Sequence, residues 1–322
     1  SLTNAESSII VNNCAASVIL MLNSVSEGKN VIISRGQQVA IGGSYRIPDV
    51  IKKSNCKMLE IGTTNKTEIE DYESAIDDRT GAILVAHTSN FKVVGFTKEV
   101  ELLELVNLSK RKRIPLLVDL GSGAIADFSD LRITGESTVS YYLKAGVHAV
   151  AFSGDKLLGG PQSGILVGKD NIIKNLQKNT LYRTFRPDKL TIGLLEETLR
   201  SYRSTSFSKD NLSLNMLKTS RLILRKRGEK LIKLIKKSII KDLDISLVPS
   251  LVEAGSGSLP EKNIKSMALI FNPKFIKCSM LAKKLRLGQI PVVGFIKENR
   301  FYIDLKAVLP NQLMKLSQAI NS

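Results

Sequence analysis

The sequence predicts an α/β protein: a mainly parallel seven-stranded sheet with helices on both faces, followed by a smaller α/β domain at the carboxyl end. Three observations lead there. Apolar runs of four or five residues alternate with amphipathic stretches over the first two hundred residues. Those runs are continuously apolar instead of alternating, as strands covered on both faces are. The texture then changes near residues 203–210, where SYRSTSFSKDN gives way to a long basic stretch. At 322 residues the chain can bury one large core and one small one, placed here at residues 1–205 and 206–322.

In order, Ser8–Asn12 reads as a strand running into VNNCAAS, whose small residues open the helix Ala15–Glu27. Val31–Ser34, Met58–Ile61 and Ile83–His87 are the next strands. Helix Lys98–Lys112 precedes strand Leu116–Asp119, and helix Val139–Ala145 precedes strand Ala149–Ser153. A glycine-rich loop separates that strand from the seventh, Gly164–Val167, and helix Leu190–Tyr202 closes the first domain. Between Arg221 and Lys241, Leu222, Leu224, Leu231, Leu234, Ile235 and Ile239 form a helical stripe opposite lysines and arginines. Strands Ser266–Phe271, Pro291–Lys297 and Arg300–Asp304 and a helix Gln312–Ile320 follow.

Composition narrows the function classes. No apolar run approaches the ~18 residues of a membrane span, and no charged-then-apolar leader opens the chain. Cys14, Cys56 and Cys278 lie far apart without CxxC spacing, against a zinc site or a disulfide framework. His87 and His148 are too few for a histidine-rich metal site. The economical reading is a cytoplasmic protein without a metal. Its 47 Lys and Arg against 30 Asp and Glu give +17, a field that favours nucleic acid, anionic membrane or phosphorylated ligands. A lysine-rich surface serving solubility or heat tolerance gives the same count. The basic clusters are Lys110–Arg113 and the stretch from Arg221 to Lys241.

Open parallel sheets bind ligands beyond the carboxyl ends of their strands, so the polar residues there form a set. After the first strand, Asn13, Cys14 and Ala15 open a helix whose unpaired N–H groups can cradle a phosphate, although an ordinary asparagine cap reads the same way. Neither a Walker A motif nor GxGxxG is present. The fourth strand ends in the donors His87, Thr88, Ser89 and Asn90. The fifth ends in VDLGSGA, where a buried Asp119 needs a cationic or protonated partner. The protonated ring nitrogen of pyridoxal phosphate is one such partner, and Mg²⁺ or a helix end are others. The sixth ends in FSGDKLLGGPQSG, with Lys156 among Gly154, Gly159 and Gly160. A desolvated amine there can capture an aldehyde cofactor as a Schiff base, and a turn lysine paired with Asp155 is the plainer alternative.

VNNCAASVILML, SRGQQVAIGGSYRIPDV, EIGTTNKT, HTSNFKVVGFT, VDLGSGA, FSGDKLLGGPQSGILVG and LYRTFRPDK, in that order, resemble bacterial selenocysteine synthase, the L-seryl-tRNA(Sec) selenium transferase family. The resemblance runs from about Ser7 to Tyr202 and resumes in PVVGFIKENRFYIDLKAV. It implies a fold-type I pyridoxal phosphate transferase. Family members carry a longer amino-terminal part with a small tRNA-contacting domain, which this chain, starting at SLTNAESS, is expected to lack. They also usually carry an acidic residue where Gln37 or Gln38 stands.

The resemblance implies that Lys156 holds pyridoxal 5'-phosphate and acts as the base on serine esterified to tRNA(Sec), while Asp119 keeps the ring nitrogen protonated. Loss of the serine hydroxyl as water would leave an aminoacrylyl-tRNA, to which selenium from selenophosphate adds. Cofactor contacts are expected at Asn13, Cys14, Ala15, His87, Ser89, Asp119, Ser153 and Lys156, and selenophosphate contacts at Arg183 and Arg186. The implied assembly is a homo-oligomer, with a dimer as the minimum unit and a ring of dimers beyond it. Two other readings share some of these residues: a related pyridoxal phosphate lyase of a small phosphorylated sugar acid or amino acid, and a non-catalytic RNA-binding protein.

Overall fold

The computed structural model describes residues 2–88, 90–125, 137–204, 206–255 and 264–322. Backbone contacts divide the chain into two units, one ending at Leu214 and the next beginning at Asn215.

The first unit opens with β1 (Ser7–Val11), α1 (Cys14–Ser26) and β2 (Asn30–Ser34). A hairpin of β3 (Ala40–Ile41) and β4 (Tyr45–Arg46) leads into α2 (Ile47–Lys53), where Pro48 sits in the first turn and its missing N–H costs nothing. β5 (Lys57–Ile61), α3 (Ile69–Ala75), β6 (Thr80–Ala86), α4 (Leu102–Lys112) and β7 (Leu116–Gly121) continue the alternation. α5 (Val139–Ala145), β8 (Ala149–Ser153), β9 (Gly164–Gly168) and α6 (Asp170–Lys178) follow. The short α7 (Thr180–Thr184), α8 (Lys189–Ser201) and α9 (Phe207–Asp210) complete the unit, and α10 (Leu212–Lys218) spans the point of division.

The seven strands lie in the order β1-β9-β8-β7-β6-β2-β5. β5, β2, β6, β7 and β8 are mutually parallel, and β9 is antiparallel to both β8 and β1. β1 therefore runs with the parallel set. Val11 and Ser153 both pair with Gly164, so β1 and β8 end at the same edge. Asp119 of β7 is level with Ala86 of β6 and Ala151 of β8.

Why the strands read as unbroken apolar runs is visible in their burial. Val31, Ile33, Leu84, Leu117, Ala149 and Ala151 pack with Val18, Met21 and Leu22 of α1, Ile47 and Ile51 of α2, and Leu176 of α6. The intervening Ile32, Ile83, Val118 and Val150 are buried as completely on the other face. Each large side chain so buried contributes roughly 1.5–3 kcal/mol. α4 begins at Leu102, later than the Lys98 expected from periodicity, because Glu101 and Glu104 form a capping box there. Its last turn holds Lys110, Arg111 and Lys112, cations placed at the negative end of the helix dipole.

The second unit contains α11 (Arg221–Leu234), α12 (Lys237–Asp242), β10 (Ser246–Val252) and β11 (Ile264–Phe271). α13 (Cys278–Leu287), β12 (Phe295–Lys297), β13 (Arg300–Asp304) and α14 (Leu313–Asn321) complete it. Its antiparallel sheet, in the order β10-β11-β13-β12, packs Leu269, Phe271, Phe301 and Ile303 against Leu224 and Leu231 of α11, Leu281 of α13 and Leu316 of α14. The basic helix expected as one piece to Lys241 breaks at Ile235, which is extended (φ −88°, ψ 138°). The Asn321 side chain takes over at the break, donating to Leu234 O at 3.0 Å and accepting from Lys236 N at 2.8 Å. Of the expected strand Pro291–Lys297 only Phe295–Lys297 pairs. β10 escapes sequence reading because Pro249 lies at its centre, which an edge strand tolerates.

Candidate active site

The site grows from the carboxyl edge of the large sheet. Asn13 follows β1 in extended conformation and caps α1, its side chain accepting from Ala16 N at 2.8 Å and its carbonyl from Ser17 N at 3.1 Å. The plain capping role is thus real, and it occupies the Asn13 side chain. The N–H groups of Cys14 and Ala15 take no partner among the described residues and point out of the positive end of a 13-residue helix. That is the geometry of a phosphate site. Gly164 allows the close approach behind it: a Cβ there would lie 2.1 Å from Asn13 O.

Asp119 lies on β7, three strands along the sheet from β1, and is 9% exposed. Its Oδ2 accepts the Tyr45 hydroxyl at 3.1 Å, and the Cys14 thiol faces Oδ1 at 3.9 Å. Burial pushes the Asp119 carboxyl above its ordinary range; the Tyr45 bond, the charges of Lys156 and His87, and the Cys14 thiol pull it back. Burial first and the Asp119 charge second hold the Tyr45 phenol well above 10 and push the Cys14 thiol up to about 12. Both groups are therefore protonated donors at neutral pH. Tyr45 has no signal of its own in the sequence, since it reaches Asp119 across 74 positions from a two-residue strand.

Lys156 follows β8 on a loop pinned by Gly154 N–H to Ser163 O (2.9 Å), Gly160 N–H to Gly154 O (2.8 Å) and Leu157 N–H to Ser122 O (3.0 Å). The last bond ties the loop to the turn after β7. There Gly121 takes φ +69°, and a Cβ built on it would lie 3.8 Å from Lys156 Nζ, so the amine reaches across the end of β7 toward Asp119. No carboxylate lies within ion-pair distance of Lys156 among the described residues, and Asp155 points to solvent.

His87 donates its backbone N–H to Asp119 O at 2.9 Å, and its buried Nδ1 has no partner among the described residues. A buried nitrogen left without a partner is rare and marks a place for a further group. Ser153 is buried beside Cys14. Asn90 is committed to Ala40 O at 2.6 Å, and Ser89 lies outside the described residues. Gln37 Oε1 accepts from Ala86 N at 3.3 Å, and Gln38 donates to Glu60, which Arg35 also pairs. A buried carboxylate bonded only to neutral donors, an unpartnered imidazole nitrogen, free helix N–H groups and an amine beside them together fit pyridoxal phosphate.

Arg183 and Arg186 are brought together with each other. Both are exposed and line a cavity of about 650 Å³ with Ser8, Ile9 and Ile10 of the edge strand β1. No hydrogen bond joins either to Asp119 or Lys156 among the described residues. Phe185, which lies between them in sequence, accepts Asn12 N–H at 2.9 Å, tethering the segment to the loop that carries the phosphate cradle.

The sequence profile of the L-seryl-tRNA selenium transferase family matches residues 1–309. The L-seryl-tRNA(Sec) selenium transferase of Desulfotalea psychrophila is 40% identical over 313 residues, covering 97% of this chain and 67% of that protein. That of Carboxydothermus hydrogenoformans is 42% identical over 312 residues, with the same coverage of 97% and 67%. The chain thus spans about two thirds of the length of these relatives. Among solved structures, D-glucosaminate-6-phosphate ammonia-lyase superposes with a TM-score of 0.69 at 17% identity, over 99% of this chain and 82% of that one, a likeness of fold. With the profile matched over nearly its whole length and relatives at 40% identity or above, the chain belongs to the L-seryl-tRNA selenium transferase family.

Proposed function

We propose that this chain carries the chemistry that converts seryl-tRNA(Sec) to selenocysteyl-tRNA(Sec) with pyridoxal phosphate as cofactor. The observation that supports it most directly is the meeting of Asp119, Tyr45, Cys14 and the Lys156 amine at the sheet edge where α1 offers free N–H groups. Pyridoxal phosphate, when bound, supplies an aldehyde that takes up an amine and a pyridinium ring that accepts the electrons of a breaking Cα–H bond. Lys156 is the amine that anchors the aldehyde carbon. When not engaged with the cofactor, the same amine would be placed to serve as the base for the serine α-proton. Asp119 accepts the ring N–H, and the Tyr45 bond at Oδ2 keeps the carboxylate in place. The N–H groups of Cys14 and Ala15 take the phosphate, with Asn13 shaping the turn. His87 and Ser153 supply further contacts, as does Ser89 on the sequence reading.

Arg183 and Arg186 are assigned to selenophosphate. The carboxyl group of the substrate serine is an ester on tRNA, so an arginine pair has no carboxylate to clamp, whereas two forked guanidiniums suit a phosphate-like donor. The net reaction exchanges the serine β-hydroxyl, lost as water, for selenium at Cβ, while the P–Se bond of selenophosphate breaks and its phosphoryl group passes to water as inorganic phosphate. A homo-oligomer, with a dimer as its smallest unit and a ring of dimers beyond it, belongs to the same proposal. Val94 and Phe96, 81% and 90% exposed, are the kind of side chains that a second copy covers. Among the described residues no helix is long and apolar enough to cross a membrane, in keeping with the proposed cytoplasmic setting.

The test is a conversion assay with seryl-tRNA(Sec) and selenophosphate. Arg183→Ala or Arg186→Ala should raise the half-saturating selenophosphate concentration by roughly 10–100-fold, the worth of a lost charge-assisted bond, and leave cofactor attachment intact. An unchanged donor dependence in single-turnover runs refutes the assignment.

A further inference from the structure

The net charge of +17 is not spread evenly over the chain. Residues 215–322 hold 21 Lys and Arg against 7 Asp and Glu, a balance of +14, whereas residues 1–214 hold 26 against 23, a balance of +3. The division between the units falls at Leu214 and Asn215, so nearly all of the excess belongs to the second. In the first unit several cations find carboxylates, among them Lys98 with Glu68, Arg111 with Glu73, Lys174 with Asp170 and Arg200 with Glu196.

In the second unit, α11 buries Leu224, Gly228 and Leu231 and turns Lys226, Lys230 and Lys233 to solvent. These three stand at i, i+4 and i+7, a single stripe about 10 Å long at the rise of an α-helix. Lys237 and Lys241 repeat the i, i+4 spacing on α12 and are also exposed. None of the five has a carboxylate within ion-pair distance among the described residues; the pair formed on this helix, Arg225 with Glu229 at 2.9 Å, lies to one side. Like charges at i, i+4 cost a helix a few tenths of a kcal/mol each. The exposed face of α11 has no aromatic residue on which a base could stack.

We infer that the outer face of α11, continued by α12, binds the phosphate backbone of RNA through Lys226, Lys230, Lys233, Lys237 and Lys241. The identity of that RNA as the substrate tRNA rests on the function proposed above; the surface itself does not. Such a face grips phosphates and the shape of a duplex arm without reading bases.

The experiment compares the full chain, Lys226→Gln/Lys230→Gln/Lys233→Gln, and a control, Lys52→Gln/Lys53→Gln/Lys57→Gln, that removes the same charge from exposed lysines of the first unit. Each is titrated with an uncharged tRNA(Sec) transcript from about 50 to 200 mM salt, and helix content is checked by circular dichroism. The α11 variant should bind at least about tenfold more weakly at about 0.1 M salt, with the slope of log K on log salt reduced by about 2 or more. The control should change by less than about threefold, as screened charge away from the contact does. Equal weakening in both variants, unchanged binding, or no binding by the unaltered chain overturns the inference. A chain that fails the conversion assay but shows the α11-specific loss refutes the proposed function and leaves the surface standing.

Discussion

Tyr45→Phe removes one hydroxyl and keeps the ring, so its cost reports the charge on Asp119. The bond is 3.1 Å long and its acceptor is 9% exposed, conditions under which a hydrogen bond to a carboxylate nets roughly 1.5–3 kcal/mol. The ring packs at the margin of the main core and stays there in phenylalanine, so no cavity adds to the cost. With Asp119→Asn as background the acceptor is neutral, and the same change should cost only about 0.5–1.5 kcal/mol. The double-mutant cycle should therefore show a coupling of about 1–1.5 kcal/mol. Amide hydrogen exchange of β6 and β7 at pH 7, without added cofactor, reads these differences as changes in opening equilibrium. The sign with pH follows from the raised carboxyl. Its contribution to stability is fully present below the unfolded-chain value and is lost as pH rises through the folded one. The cofactor-free protein should thus weaken on raising pH through that range, and Asp119→Asn should not. A Tyr45→Phe cost below about 0.5 kcal/mol, or equal costs in both backgrounds, would mean that Tyr45 only packs and that Asp119 is held by something else.

Gly164→Ala places a methyl 2.1 Å from the backbone oxygen of Asn13, and should cost about 1–3 kcal/mol and weaken cofactor retention; a cost under about 0.5 kcal/mol by urea unfolding contradicts the close approach. His148 accepts Leu116 N–H at 3.2 Å through Nδ1, and burial first, then Lys169 and Lys110, lower its pKa to about 4. The neutral imidazole gives stability that is present above the ordinary value near 6.5 and is lost as pH falls toward 4. The full shift is worth about 3 kcal/mol at most, and roughly 1–2 after solvent screening; His148→Gln should flatten that window, and an unchanged pH profile counts against it.

The large sheet was legible because its chemistry is monotonous. AVAFS and GILVG are buried at every position, and strands covered on both faces leave that unbroken signature. Lys156 and Asp119 were legible because a charged residue following such a run has to sit at the sheet edge. Asn13 supported two readings, and the structure realises the cap in its side chain while leaving N–H groups free beside it. What escaped depends on distance along the chain. The Tyr45 hydroxyl meets Asp119 from 74 positions away, and Asn321 sets the break after α11 from 87 positions away. β3 and β4 have two residues each, too few for any periodicity, and Pro249 hides β10. The uneven charge was countable from the sequence, but only the structure shows that the outward lysines of α11 find no carboxylate within ion-pair distance among the described residues.

On the proposed function, Lys156 anchors the cofactor. The direct measurement is borohydride reduction of the protein loaded with pyridoxal phosphate, followed by proteolysis and mass spectrometry of the labelled peptide. Lys156 should carry the reduced cofactor in near-stoichiometric amount, the visible band should vanish on reduction, and Lys156→Ala should show neither. A label on another lysine, or a reducible band that persists in Lys156→Ala, contradicts that role for Lys156.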